Sequence, residues 1–319
     1  MQYRNLGNSG VKVSEVGLGT DQFGRRVDKD RVRQIVGVAL DNGINLFDTA
    51  DVYSHGLSEE YLGEALRGHR HEVVIATKGR SPMGDGPNDQ GASRYHLMNA
   101  LEASLRRLRT DHVDLYQIHS FDRTTPLEET MRTLDDMVRS GKVRYIGASN
   151  YQAWQVCRCN DLAERYGWER FVTVQPHYHM LEREVEREMV PYCRAFNLGI
   201  LPYFPLAAGL LTGRYEVGAE PPPDTRAAFS EGAHRYINRY ATAENFQIMH
   251  KLTAFARQRG HTLVELAIAW LLAEPMVCSV IAGVSKVEHV APNARACEWT
   301  LTPDEMDELR ATLEGKEKE

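Results

Sequence analysis

Short apolar runs and longer amphipathic stretches alternate along this chain. Residues 16–19, 44–47, 73–77, 113–118, 143–148, 171–175, 199–203 and 277–281 have strand length and strand composition. Between them apolar positions recur at helical spacing: Val32, Ile35, Val36, Ala39 and Leu40 mark a helix over 31–42, and Leu62, Ala65 and Leu66 one over 58–66 with Ser58 as its cap. The same spacing predicts helices over 95–108, 127–140, 152–166 and 182–196. After the seventh strand and a long irregular segment it predicts helices over 244–259, 263–273, 287–296 and, opening from Thr302, 303–313. Eight strand–helix alternations predict a (β/α)8 TIM barrel. Ahead of them, residues 3–6 and 11–13 flank the turn 7–10 and read as a hairpin that closes the bottom of the barrel. A doubly wound sheet would require a glycine fingerprint, and Gly17-x-Gly19 has no third glycine at the needed spacing.

Composition narrows the function. With 319 residues, 42% hydrophobic content and no linker-like composition shift, one domain over 1–319 is expected. A net charge of −6 with scattered basic residues argues against a nucleic-acid or acidic-membrane surface and for a small-molecule partner. The first dozen residues are too polar for a signal peptide and runs such as 267–273 too short to span a bilayer, so a cytoplasmic protein is expected. Five cysteines without Cys-x-x-Cys spacing read as reduced thiols. His177 and His179 have no nearby carboxylate, and no metal is expected.

Polar residues close the strands. Asp48 ends the second, with Tyr53 in the loop after it; Lys78 ends the third, His119 the fourth, Ser149 and Asn150 the fifth, Gln175 the sixth and Tyr203 the seventh. In a parallel barrel these ends share the rim where chemistry is placed. One at a time, each has a plainer role as cap, packed aromatic, solvated strand end or rim histidine. Together, Asp48, Tyr53, Lys78 and His119 resemble the catalytic tetrad of the aldo-keto reductase superfamily, and NLFDTADVY, IATKG, DLYQIH and IGASN are similar to its motifs. The resemblance runs from about residue 6 to 293, nearest the branch of bacterial oxidoreductases, aryl-alcohol dehydrogenases and potassium-channel beta subunits. It implies an NAD(P)H-dependent oxidoreductase that reduces an aldehyde or ketone to an alcohol, reversibly. Hydride transfer to a carbonyl leaves charge on oxygen, and a tyrosine with pKa about 10 is a reluctant acid/base near neutrality. Tyr53 is the implied proton donor, Lys78 its activator, Asp48 the group that holds the lysine, and His119 the group that positions the carbonyl. A nucleotide-sensing regulatory subunit of the channel-associated kind is the alternative.

The resemblance also implies cofactor contacts. Ser149, Asn150 and Gln175 would bind the nicotinamide carboxamide and Tyr203 would stack on the ring, with Gly19 and Thr20 on the same rim. Leu206, Gly209, Leu210 and Arg214 resemble the loop along the pyrophosphate, with Arg226 a further match. Gly283, Ser285 and Lys286 open a helix suited to a phosphate, and His289 and Asn293 follow toward adenosine. NADP(H) is favoured. Phe204, His289 and Pro292 depart from the family pattern, so NAD(H) stays open. Phe23, Phe121, Tyr151 and Tyr178 are the expected substrate-facing aromatics, suited to an apolar or cyclic carbonyl. The segment 216–240 is expected to fold over the dinucleotide.

Overall fold

The chain starts with the expected hairpin: β1 (Tyr3–Asn5) pairs antiparallel with β2 (Lys12–Ser14). The structure is a computed structural model that describes residues 1–216, 222, 223, 225, 228 and 231–315, with the side chains of Glu231 and Ala233 excepted. Eight parallel strands follow: β3 (Val16–Gly19), β4 (Leu46–Asp48), β5 (Val74–Gly79), β6 (Val113–Ile118), β7 (Val143–Ser149), β8 (Phe171–Gln175), β9 (Gly199–Ile200) and β10 (Val280–Gly283). Each lies beside its sequence neighbour, and β10 returns to pair with β3. The seam between β9 and β10 is closed by bridges from Ile200 to Val277 and from Tyr203 to Ile281. The result is the (β/α)8 TIM barrel.

The two-residue period of a strand sorts its side chains into two cores. Phe47, Ile75, Tyr116 and Ile118 face the helices, while Leu46, Val74, Ala76 and Leu115 fill the barrel with Leu201, Cys278 and Ile281. Leu6 and Val13 of the hairpin join this inner cluster and plug its bottom. Gly7 makes the plug possible. Its φ is +58°, and a Cβ there would lie 2.0 Å from the carbonyl oxygen of Val172. The same period continues upward from the apolar layer, so Asp48 follows Leu46, Lys78 follows Ala76 and Gln117 follows Leu115 on the inner face.

Several elements differ from expectation for local reasons. The helix after β4 spans Leu57–Ala65 with Gly56 at its cap position, so Ser58 is not a cap. Its buried hydroxyl instead donates to Thr20 O at 2.9 Å and lies 3.0 Å from Thr49 Oγ1, tying three segments together. The stretch expected as helix 182–196 is a 3₁₀ turn, Glu184–Glu186, and then a helix Met189–Phe196 that begins just before Pro191. The stretch 287–296 breaks likewise into a 3₁₀ turn, Val287–His289, and a helix Val290–Arg295 around Pro292. A proline without an N–H is accommodated only in a helix's first turn. Pro202 similarly ends the regular ladder of β9 at Ile200.

Candidate functional site

Lys78 has no exposed surface, yet its ammonium is fully partnered. It lies 2.6 Å from Asp48 Oδ1, donates to Thr49 O at 2.8 Å and reaches the Tyr53 hydroxyl at 3.5 Å. Three donors meet three acceptors. The other Asp48 oxygen accepts from Gln175 Nε2 at 2.8 Å and from Gln117 Nε2 at 3.4 Å. A buried ion pair stands only when its remaining hydrogen-bonding capacity is met in this way. Gln117 was not singled out from the sequence, although its place two residues beyond Leu115 put it on the inner face.

Tyr53 is presented by a tight loop. Ser54 and His55 take left-handed φ values of 51° and 53°, followed by Gly56 at 93°. Strained non-glycine backbone of this kind persists where surrounding contacts enforce it; here Ser54 Oγ donates to Phe23 O at 2.8 Å. The Tyr53 ring meets His119 edge-on, with centroids 5.8 Å apart. Burial, then the charges of Lys78 and Arg80, push the His119 pKa down to about 3. The imidazole is therefore neutral near neutral pH.

These groups open onto a cavity of about 850 Å³. Asp48, Tyr53 and His119 line one end together with Ser149, Asn150, Gln175 and Tyr203; Ser285, His289, Asn293 and Arg295 line it beyond β10. Gly19, Thr20, Leu206, Gly209, Arg214 and Gly283 also lie on the wall. Asn150, at φ +54°, donates to His119 O at 2.9 Å and accepts from the Tyr203 hydroxyl at 2.8 Å, while Ser149 Oγ donates to Gln175 O at 2.9 Å. Burial raises the Tyr203 pKa to about 12, so its hydroxyl stays a donor.

Other expected positions lie elsewhere. Leu210 is fully buried in the core, and Lys286 precedes a 3₁₀ turn without lining the cavity. Arg226 lies outside the described residues. Phe23 is completely buried, and Tyr178 packs on Trp270 and donates to Glu186 Oε1 at 2.9 Å, so neither forms cavity wall. Phe121 and Tyr151 do not line this cavity either; they meet at a strand-end cluster, edge to face at 5.2 Å, which exposed Trp154 joins at 5.9 Å from Phe121. In the 216–240 segment, Thr225 lines the cavity, and helix Glu231–Tyr240 packs Tyr236 on Phe204 and His177. His177 stacks in turn on Tyr203 at 5.2 Å.

His177 and His179 bring their Nε2 atoms to 3.1 Å, and both touch the Tyr236 hydroxyl. His179 Nδ1 accepts from Leu181 N at 3.1 Å, which places its proton on Nε2. The pair is thus a hydrogen-bonded chain, and among the described residues no group of three metal-ligating side chains occurs. No described helix is long and apolar enough to cross a membrane.

The profile of the Aldo/keto reductase family matches residues 15–314. The whole chain is 36% identical to the probable voltage-gated potassium channel subunit beta of Oryza sativa subsp. japonica, covering 98% of that protein. It is 37% identical to the uncharacterized oxidoreductase YrpG of Bacillus subtilis, over 99% of this chain and 97% of that one. Versiconal hemiacetal acetate reductase of Aspergillus parasiticus is 34% identical over 97% of this chain and 96% of its own length.

Proposed function

Because the chain belongs to the aldo/keto reductase family, we propose that it reduces an aldehyde or ketone to an alcohol, reversibly, with NADPH as preferred hydride source and NADH as the alternative. The observation that carries this reading is the buried Lys78, whose ammonium bridges Asp48 and the Tyr53 hydroxyl, both of which line the cavity. The cavity fits a dinucleotide in size and in its lining: Ser149, Asn150 and Gln175 supply polar contacts for a carboxamide and Tyr203 an aromatic face. Gly209 and Arg214 suit a pyrophosphate, and Ser285, His289 and Arg295 suit a phosphorylated ribose. Bound there, a nicotinamide cofactor would supply the hydride.

The chain's own residues do the rest. Tyr53 delivers a proton to the carbonyl oxygen as charge develops on it, and Lys78 stabilises the phenolate left behind. Asp48, braced by two glutamines, keeps the ammonium aimed. Neutral His119 donates one hydrogen bond to the same oxygen and so orients the carbonyl. In the reverse direction the Tyr53 phenolate takes the alcohol proton. Phe121, Tyr151 and Trp154 beside the His119 and Asn150 strand ends support an apolar or aromatic carbonyl substrate.

Nucleotide oxidation with a panel of aldehydes, ketones and quinones tests the reading. Tyr53→Phe is expected to lower turnover at least about 100-fold with cofactor affinity nearly unchanged; retained turnover under a limiting chemical step would refute it. Similarity to plant channel subunits supports a second reading, a nucleotide-sensing subunit on the same barrel. That reading expects nucleotide binding without turnover on any carbonyl, and a co-purifying membrane partner.

A further inference from the structure

Between Asp48 and Tyr53 the chain carries a second carboxylate that the mechanism above does not use. Asp51 has no exposed surface, and its carboxyl has no side-chain hydrogen-bond partner; the N–H of the next residue, Val52, is the one donor that acts on it. Its backbone is tied to the site, since Asp51 N donates to Lys78 O at 3.1 Å. The groups around it are charged or ionisable on every side. Glu59 faces it from helix Leu57–Ala65, Arg107 from helix Arg94–Leu108, Lys78 from β5 and Tyr116 from β6. Glu59 is itself fully buried, accepting from Thr77 Oγ1 at 2.5 Å and from Arg107 Nε at 2.7 Å. The Tyr116 hydroxyl is buried and unpartnered, and it occupies the space a side chain at position 79 would fill: a Cβ on Gly79 would lie 2.1 Å from it.

Counting charges isolates Asp51. Lys78 is matched by Asp48 and the partly exposed Arg107 by Glu59, so each of these ion pairs closes on itself. Asp51 is the fifth ionisable group, and the two described cations that act on it, Arg107 and Lys78, are each already paired. A buried carboxyl in this position keeps its proton until the solution is basic enough to force it off. Burial first, then Glu59, raises its pKa from 3.8 to about 7.

Resting on the reductase reading, we propose that Asp51 is a proton-linked positioning residue for the Tyr53–Lys78 pair, whose charge opposes that of Lys78 and holds Tyr53 in its protonated, proton-donating form. With Asp51 neutral, Asp48 is the one carboxylate paired with the ammonium, whose remaining field acts on the phenol and favours phenolate. With Asp51 ionised, a negative charge behind the strand that carries Lys78 weakens that field. The balance between carbonyl reduction, which needs the phenol, and alcohol oxidation, which needs the phenolate, is then tilted toward reduction as pH rises through neutrality.

The test reads the phenol directly. Protein labelled with 13C at the tyrosine ζ carbon is titrated by NMR, with Tyr53→Phe identifying the Tyr53 resonance. In the wild type, this resonance is expected to shift through an inflection near pH 7, where Asp51 ionises. In Asp51→Asn the inflection disappears and Tyr53 ionises at lower pH, by on the order of one pH unit. The ratio of alcohol oxidation to carbonyl reduction at pH 8 rises by up to about tenfold. An absent inflection in the wild type, or an unchanged Tyr53 midpoint in a folded Asp51→Asn protein, overturns the proposal. The wild-type titration stands even if the variant fails to fold. Absence of turnover on every carbonyl, with the phenol still coupled to Asp51, would count against the reductase reading and leave this coupling in place.

Discussion

Replacing Asp51 by asparagine removes a buried charge while keeping shape, and its effect on stability follows from the same environment. The carboxyl's ordinary value is 3.8, and in the folded chain it rises to about 7, chiefly through burial. Below about pH 4 it is protonated in folded and unfolded chains alike and makes no pH-dependent contribution. Between pH 4 and 7 the unfolded chain has released the proton and the folded chain retains it, so stability falls as pH rises; above pH 7 the loss is complete. At about 1.4 kcal/mol per pH unit, this loss is on the order of 4 kcal/mol. Asparagine cannot ionise and is spared it. Urea denaturation of both proteins from pH 4 to pH 8 should therefore show the variant gaining on the wild type by on the order of 4 kcal/mol, because other titrating groups cancel in the difference. A variant-minus-wild-type difference that stays flat over this range would refute the buried, unpaired carboxylate.

Other perturbations test separate parts of the structure. Gly7→Ala forces a Cβ into the carbonyl of Val172 at a left-handed φ and should cost at least about 2 kcal/mol in urea midpoints, whereas Gly10→Ala, with open space around it, should cost little. Arg295→Ala should weaken NADPH about tenfold more than NADH in fluorescence titrations if the cavity end it lines receives the 2′-phosphate; equal losses would remove that role. With a pKa of about 3, His119 should contribute no limb to the rate profile between pH 5 and 8, so His119→Gln should lower turnover without changing the profile's shape.

The barrel was legible because its eight strands are short apolar runs whose order needs no long-range information: each pairs with the next, and the last with the first. What periodicity could not supply was the local effect of single residues. Pro191 and Pro292 sit in patterns that are apolar at helical spacing, and each makes the helix start late because only its first turn tolerates a missing N–H. Ser58 has the chemistry of a cap, but the left-handed run Ser54–His55–Gly56 brings the helix in one residue earlier and turns the hydroxyl toward Thr20 and Thr49. A left-handed serine and histidine leave no composition signal.

The site divides along the same line. Asp48 and Lys78 could be placed because strand parity is arithmetic: a polar residue two positions beyond an inward apolar one must also point inward, and at a strand's C-terminal end it reaches the rim. The aromatics had no such rule. Phe23 and Tyr178 sit in loops on the correct face of the barrel, yet a loop fixes no parity, and each finds more apolar surface by turning into the core than by lining the cavity. Asp51 shows the reverse case. It lies three residues beyond Asp48 in the same polar stretch, where one more carboxylate draws no notice. Only the three-dimensional count of charges, two closed ion pairs and one acid left over, separates it from an ordinary loop residue.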